Sequence, residues 1–478
     1  MKKVYECICL WKRYLVFKKR IGVEIIVNLT LFKNIISLYG FTIAKLVFPM
    51  LVLPYLTRVL SLEAYGLVAY VKTIMSYMQQ LVDFGFMLSG TKEVVEIVQG
   101  SANRVQPSAI RVEGESQQCS DSSNSSVSFA DSPPHQRGQG LMKTNIALNQ
   151  AVGDIMVARL LNAGIALLIL AILVFVIPVL SANKIFVFFS FATIFASIFL
   201  FDYVFRGLEQ MQVITYRFMV MKSISTVLTF FVVKSDADIM WIPALDLAGS
   251  LVAVGLVLFE LRKFGIMPQF TTLANAVKKL KESALYFLSS ASTSVFGALN
   301  TVLVGIFLPL AQVAFWSLVM QILNAIQSFY SPITSGLFPR MVATKSKGLL
   351  LKMFTVFVPI VFAGCVFTYF ISDYAVVLIA GEKYLPSAEV LRWVTPWLFL
   401  GFPAMLFGWP ALGAIGKVRQ VTSTTVGAAI FQVIGLAVLG LTGNFTLLTI
   451  AVLRDVTEFL FTCARMSYCW YFREEYND

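Results

Sequence analysis

Apolar stretches long enough to cross a bilayer recur along most of this chain, separated by short polar connections. A helix needs about 20 predominantly apolar residues to span the hydrocarbon core. On that measure we place about twelve candidate spans, near 35–60, 64–88, 155–180, 183–205, 212–233, 239–261, 283–308, 311–336, 350–372, 388–411, 419–441 and 444–470. One segment breaks the pattern. Gln99–Gly140 is Ser-rich, has no period and holds few large apolar residues, so it cannot bury enough surface to fold. It is expected to be a disordered loop over 99–142. The rest divides into an N-terminal extension, 1–34, one six-helix bundle over 35–262, a linker over 263–282 and a second six-helix bundle over 283–478. The fold class is therefore all-α.

Composition supports a membrane protein. Only 13% of the 478 residues are charged and 58% are hydrophobic, against about 25% charged in soluble domains. The mean hydropathy is +0.78. The formal charge of +12 is unevenly placed. Lys12, Arg13, Lys18, Lys19, Arg20, Arg262, Lys263, Lys278, Lys279, Lys281, Arg340, Lys345, Lys347, Lys417 and Arg419 fall in one set of connections. The alternate set has Arg58, Lys184, Lys234 and Lys383. Cytoplasmic loops carry the excess of Lys and Arg, so both termini are expected to be cytoplasmic, with no nucleic-acid partner. The extension has no clean signal peptide and is expected to lie on the membrane surface as a basic amphipathic stretch. The six cysteines show no metal or disulfide spacing, and His135 is the single histidine, so no metal site is expected. There is no Walker A stretch.

Charges inside the spans then need a reason. In "FTIAKLVFPMLVLPYLTRVLS" Lys45 precedes Pro49 and Pro54; a lysine in hydrocarbon costs roughly 2.5–3.5 kcal/mol on insertion scales. Each proline also frees a carbonyl four residues back, tolerable only where water or protein satisfies it. Lys72, Ser76, Gln79 and Asp83 fall on one helical face of the second span. Ser317, Gln321, Asn324, Ser328 and Ser331 do so on the eighth, at a constant offset that places Ser76 on Asn324. The same offset places Lys45 on Thr293 and Pro49 on Gly297 in the seventh span, where Ser289, Thr293, Gly297 and Asn300 share a face. Close packing by small residues explains part of this. A polar cavity between the two bundles explains the lysines, aspartate and amides as well, and a bendable first helix suits rocking halves. Asp246, Asp455 and Glu458 are carboxylates within spans and thus candidates for ion coupling, although Arg454 beside Asp455 offers a neutralised pair. Asp202 and Arg206 are spaced for an i, i+4 pair. Asp83, near the end of its span, and Pro332 are gate or hinge candidates.

The stretch "FPMLVLPYLTRVLSLEAYGLVAYVKTIMSYMQQLVDFGFMLSGTKEV", with "FRGLEQM", "LFPRM" and "GEKY", resembles the Wzx-type polysaccharide flippases. These form part of the polysaccharide-transport branch of the multidrug/oligosaccharidyl-lipid/polysaccharide (MOP) exporter superfamily. The resemblance runs from about Asn34 to the C-terminus and departs from the family at the N-terminal extension and the Ser-rich insertion. It implies a MATE-like membrane protein, not an enzyme, that moves undecaprenyl-pyrophosphate-linked repeat units for O-antigen, capsule or related glycans out of the cytoplasmic leaflet. It implies no cofactor beyond a coupling ion, proton or sodium, and partners among membrane lipids and the polymerase and glycosyltransferases of the same pathway. On that reading Lys45 and Lys72 meet the pyrophosphate, lysine being a point-charge phosphate binder. Gln79, Asn300, Gln321 and Asn324 would bond to sugar hydroxyls, Ser76 and Thr293 would line the same cavity, and Arg58 would receive the headgroup at the outer end or anchor the helix. The rivals are a drug/cation antiporter of the same superfamily and a glycan-polymerising or acyl-transferring membrane enzyme. The acyltransferase would want an intramembrane histidine, and the polymerase a long outer loop.

Overall fold

The computed structural model describes residues 39–104, 134–269 and 271–477, with Ser37. The N-terminal extension, the centre of the Ser-rich segment and the side chains of Ser289, Thr293, Gly297, Ser331 and Pro332 lie outside the described residues. The described part is helical, with one isolated bridge between Ser346 and Asn477. The first half runs α1 (Tyr39–Val59), α2 (Leu62–Asp83), α3 (Phe86–Arg104), α4 (Pro134–Val176), α5 (Pro178–Ala182), α6 (Lys184–Ser197), α7 (Asp202–Gly207), α8 (Met211–Val232) and α9 (Trp241–Lys263). The second runs α10 (Leu273–Phe307), α11 (Leu310–Gln327), α12 (Tyr330–Thr344), α13 (Lys347–Ala380), α14 (Pro386–Leu406), α15 (Val418–Leu441) and α16 (Leu447–Tyr471).

Eight helical stretches among the described residues are long and apolar enough to cross a membrane: α1, α11, α13 and α15, the part of α4 over Asn145–Val176, and the runs containing α6, α9 and α14. The chain is a multi-pass membrane protein. Helices α2, α8, α10 and α16 are also of spanning length, 22, 22, 35 and 25 residues, since about 20 suffice. α2, α8 and α16 carry the polar and charged side chains treated below, and the apolar stretch of α10 includes side chains outside the described residues. Two boundaries differ from expectation. α3 continues to Arg104 and α4 starts at Pro134, so both flanks of the expected 99–142 loop are helical. α10 begins at Leu273 and absorbs half of the expected linker.

Local chemistry sets the helix ends. Ser61 caps α2 by accepting the Ala64 amide at 3.1 Å, and Thr446 with Thr449 forms a capping box on α16, each satisfying orphan amides of a first turn. α2 stops at Phe84 and Gly85, both left-handed, and α3 starts at once. α12 is separate from α11, so Pro332 sits in a first helical turn, where proline costs no backbone hydrogen bond.

In the first half α8 packs on α9, α9 on α6, and α2 on α4 and α6. α1 lies on α8 through Phe41 and Phe48 against Phe218, and the Tyr55 hydroxyl donates to the Val233 carbonyl at 2.7 Å. The halves meet where α11 packs on α2 and where α10 packs on α2, α3 and α4. At the α2–α3 turn Phe84 stacks on Phe287 at 4.4 Å and Lys279 bonds Glu93 at 2.7 Å. Burial works against the Lys279 charge, yet Glu93 and Glu282 hold its pKa above the ordinary lysine value. At the opposite end Arg58 donates to the Leu378 carbonyl at 2.7 Å, and Lys383 donates to the Leu60 carbonyl. Each cation caps the final turn or the end of a helix in the other half, a placement the helix dipole favours.

α14 is the most enclosed span, with 67% of its window buried. Pro396, Pro403 and Pro410 interrupt its ladder, and it passes into a π-helical turn at Phe407–Gly413 with Gly408 non-helical. One face of α16 bonds to its backbone. The Asp455 carboxylate accepts the Trp397 amide at 2.8 Å, Thr462 donates to the Leu400 carbonyl at 3.2 Å, and Arg465 donates to the Ala404 carbonyl at 2.5 Å. Arg465 also reaches Thr425 at 3.1 Å. Leaving these acceptors dry should be costly, so Arg465→Met is expected to destabilise the protein by about 1–3 kcal/mol. Thermal unfolding in nanodiscs measures it; an unchanged midpoint would show that water replaces the guanidinium.

Candidate functional site

The first half holds a cavity of about 190 Å³ lined by Val71, Lys72, Met75 and Gln79 of α2, Phe186, Ser190, Thr193 and Ile194 of α6, and Ile242, Pro243 and Asp246 of α9. Asp246 is its electrostatic centre. Lys222 of α8 approaches one carboxylate oxygen at 3.1 Å and Lys72 the other at 4.0 Å. The Ser225 hydroxyl donates to the same carboxylate at 2.7 Å. Two lysines this close would repel each other strongly in a weakly screening interior, and the carboxylate between them makes the arrangement tenable. The trio still carries one net positive charge. The Lys72 side chain is 55% accessible, which marks it as a wall of an open, wettable space.

Gln79 links this cavity to a second of about 60 Å³, bordered by Asp83, Arg159, Ser197, Asp202 and Tyr203. Its amide donates to Asp83 at 3.0 Å and its carbonyl accepts from Ser197 at 2.9 Å. Asp83 is ion-paired with Arg159, whose guanidinium also donates to the Ile198 carbonyl at 3.1 Å. Asp202 pairs with Arg217 of α8, not with Arg206 as the i, i+4 spacing suggested; the fold brings the more distant arginine closer. A polar track thus follows the charged face of α2 from Lys72 to Asp83.

The expected residues fall into three groups. Lys72, Gln79 and Asp246 meet in the deep cavity, and Asp83 lies at the smaller one. Ser76 is exposed on the same face, its hydroxyl turned back to the Thr73 carbonyl at 2.7 Å. On α11 Asn324 is exposed and Gln321 half-buried, without lining either cavity. Lys45 is accessible on α1, its ammonium 4.6 Å from the Phe41 ring centre. Asp202, Arg206, Arg217 and Asp83 supply the charges acting on it, and it lines neither cavity. Pro49 and Pro54 lie within α1, and α1 runs through both.

One placement differs from expectation. Asn300 is buried, and its carbonyl accepts from Gln432 of α15 at 3.1 Å. Gln432 in turn accepts from Thr457 of α16 at 2.6 Å. Asn300 therefore belongs to the interior of the second half. Arg58 is exposed and donates to the Leu378 carbonyl, a contact that fits the helix-anchor role expected for it. Of the acidic pair on α16, Glu458 takes Arg454 at 3.6 Å, while Asp455 accepts the Trp397 amide. Arg454 lies 4.6 Å from the Trp397 ring centre.

Lys222, Ser225, Arg159, Ser197 and Arg217 were not singled out from the sequence. A signal existed for Lys222: it is a lysine in the middle of the 212–233 span, with Ser225 three residues on and so on its own face.

Comparison with known proteins follows the same lines. The family described as polysaccharide biosynthesis protein matches residues 31–105 and 147–345. A curated Shigella dysenteriae protein named "Putative O-antigen transporter" is 23% identical over 368 residues, covering 75% of this chain and 80% of that protein. Among solved structures, the lipid II flippase MurJ in an inward closed conformation aligns with a TM-score of 0.59 and 13% identity, over 90% of this chain and 87% of that one. An inward-facing multidrug resistance MATE family transporter of the MOP superfamily aligns with a TM-score of 0.54 and 12% identity, over 90% and 99%. These two likenesses establish a MATE/MurJ-like fold.

Proposed function

This chain belongs to the polysaccharide biosynthesis protein family, whose match covers more than half of it, and on that premise we propose that it is a transporter that flips a lipid-linked oligosaccharide across a membrane. The cargo is a repeat unit borne on undecaprenyl pyrophosphate, taken from the cytoplasmic leaflet and released in the outer one of the bacterial cytoplasmic membrane. The name of the Shigella relative, an O-antigen transporter, supports the cargo class. The observation that carries the reading is the cavity whose Asp246 wall pairs with Lys72 on the lining and with Lys222 beside it, leaving a net positive charge. A pyrophosphate needs cationic partners to enter a low-dielectric path, and lysine supplies them. A cavity of about 190 Å³ suits a headgroup rather than a whole ligand, since drug-sized ligands take about 300–1,000 Å³. The positive sign also separates this site from a drug/cation antiporter, whose cargo it would repel.

The chemistry needed is translocation without bond making. Lys72 and Lys222 bind the headgroup, Gln79 and Ser76 bond to sugar hydroxyls, and rocking of the two halves about the α2–α11 seam changes the side to which the cavity opens. Both termini are cytoplasmic, so Arg58, Lys383 and the start of α2 mark the outer end. Asp455 and Glu458 are the carboxylates assigned to a coupling proton or sodium ion. The pathway's polymerase receives the product.

The test is expression in cells whose own flippase is deleted, with the matching glycan-assembly enzymes present. Surface glycan returns and internal lipid-linked precursor falls to the level of flippase-competent cells. Normal membrane insertion without any return of surface glycan would overturn the assignment.

A further inference from the structure

Three donors converge on a single carboxylate in the deep cavity. Asp246 takes Lys222 at 3.1 Å, Ser225 at 2.7 Å and Lys72 at 4.0 Å. This is the arrangement in which a phosphate oxyanion would itself be held. Accessibility runs the other way: Lys72 is 55% and Lys222 34% exposed, against 18% for Asp246. Lys72 and Asp246 both line the cavity, and Lys222 reaches the carboxylate from α8 beside it, each lysine more accessible than the carboxylate they share. Among the described residues Asp246 is the one carboxylate paired with either lysine, and the two pairings use its two separate oxygens.

We propose that Asp246 is a tethered stand-in for the anionic headgroup: it occupies the Lys72–Lys222 site when the cavity is empty and yields the lysines to a pyrophosphate when cargo enters. This deepens, and rests on, the flippase reading. Two requirements are met together. The empty carrier never exposes two uncompensated lysines in a low-dielectric space, which would be strongly destabilising. The loaded carrier binds only as tightly as the headgroup outcompetes Asp246, so the cargo can leave at the far side. A transport site must bind strongly enough to admit its cargo and weakly enough to release it. Apparent affinity is the intrinsic affinity reduced by the fraction of sites free to bind, and the carboxylate sets that fraction.

The test is binding of farnesyl pyrophosphate, a soluble isoprenoid pyrophosphate, to the full chain in nanodiscs by calorimetry. Asp246→Asn removes the competitor and is expected to bind about tenfold more tightly than wild type, while Asp246→Glu binds like wild type. Lys222→Gln binds about tenfold more weakly, having lost one charge-assisted contact. In cells Asp246→Asn exports more slowly because release is retarded. Equal or weaker binding by Asp246→Asn, with unchanged thermal unfolding, overturns the stand-in role. If Lys222→Gln still weakens binding in that case, the headgroup site itself survives. No saturable binding by wild type or Asp246→Asn overturns both the headgroup assignment and this inference. Should Asp246→Asn not fold, the double variant Lys222→Gln/Asp246→Asn has one lysine and no carboxylate. It should bind at least as tightly as Lys222→Gln, and weaker binding overturns the proposal. Inorganic pyrophosphate as the probe separates the sources. The same ordering means that a free anion suffices, and an ordering confined to farnesyl pyrophosphate assigns the site to a lipid-borne headgroup; the stand-in role stands in both.

Discussion

Lys72→Ala abolishes surface glycan and leaves lipid-linked precursor inside, in cells that depend on this chain for export and hold the variant at wild-type level in the membrane. The geometry makes the effect large. Lys72 is the accessible member of the trio, and its removal leaves Lys222 and Asp246 as a neutral pair at 3.1 Å. The cavity then has no net charge with which to hold an anion. A charge-assisted contact is worth about 1.5–3 kcal/mol, or roughly 10- to 100-fold in occupancy, and loss of the net charge adds to that. Lys72→Arg keeps the charge and should retain part of the export. Lys45→Ala should cost less, because Lys45 lines neither cavity and sits in the field of Asp202 and Asp83. Wild-type export by Lys72→Ala would remove the deep cavity from the route, whatever the family.

Gly66→Ala stops export by a different mechanism, with the protein present and the cavity chemistry intact. A Cβ on Gly66 would lie 2.0 Å from the Leu310 carbonyl oxygen and 2.8 Å from its carbon. These are backbone atoms at the start of α11, so no rotamer change relieves the clash, and α2 and α11 must part by about 1 Å to restore even the shortest tolerated contact. Packed interiors do not deform continuously by such amounts, and small residues are what allow helices this close an approach in a membrane. The outer seam then cannot close, and the equilibrium moves toward the outward-open arrangement. A cysteine placed at Ser76, exposed on the cavity face of α2, should react with an impermeant maleimide from outside in the Gly66→Ala background and not in the wild-type background. Gly305→Ala is the comparison. Its Cβ would meet the Tyr70 ring at 2.1 Å, and that ring is fully buried, so its export loss should be of similar size. Wild-type export by Gly66→Ala would mean that closure of this seam is not needed in the cycle.

Much of the fold was legible because a bilayer imposes a local rule. Whether about 20 residues can leave water depends on those residues alone, so the expected spans fall on helices, including α2, α8 and α16, whose charges lower their hydropathy. The polar face of α2 was legible for a similar reason, since helical periodicity aligns Lys72, Gln79 and Asp83 without reference to any neighbour. The repeat relation and the family motifs also lie in the linear text. Helix bounds around the Ser-rich segment were less so, because α3 and α4 are polar near it and give no hydropathy edge.

Partnerships were decided only in three dimensions. Lys72 was legible as a charge in a span, but its pairing with Asp246 across helices, and the presence of Lys222 in the same trio, depend on how α2, α8 and α9 come together. Asp202 chose Arg217 over the sequence-adjacent Arg206, Arg58 was captured by a carbonyl of α13, and Asn300 turned from the expected cavity into a chain with Gln432 and Thr457. The physical reason is common to all four. In a low-dielectric interior a polar group is secured by whichever complementary group lies within about 3–4 Å, and sequence spacing states the face a residue occupies without stating which helix stands opposite.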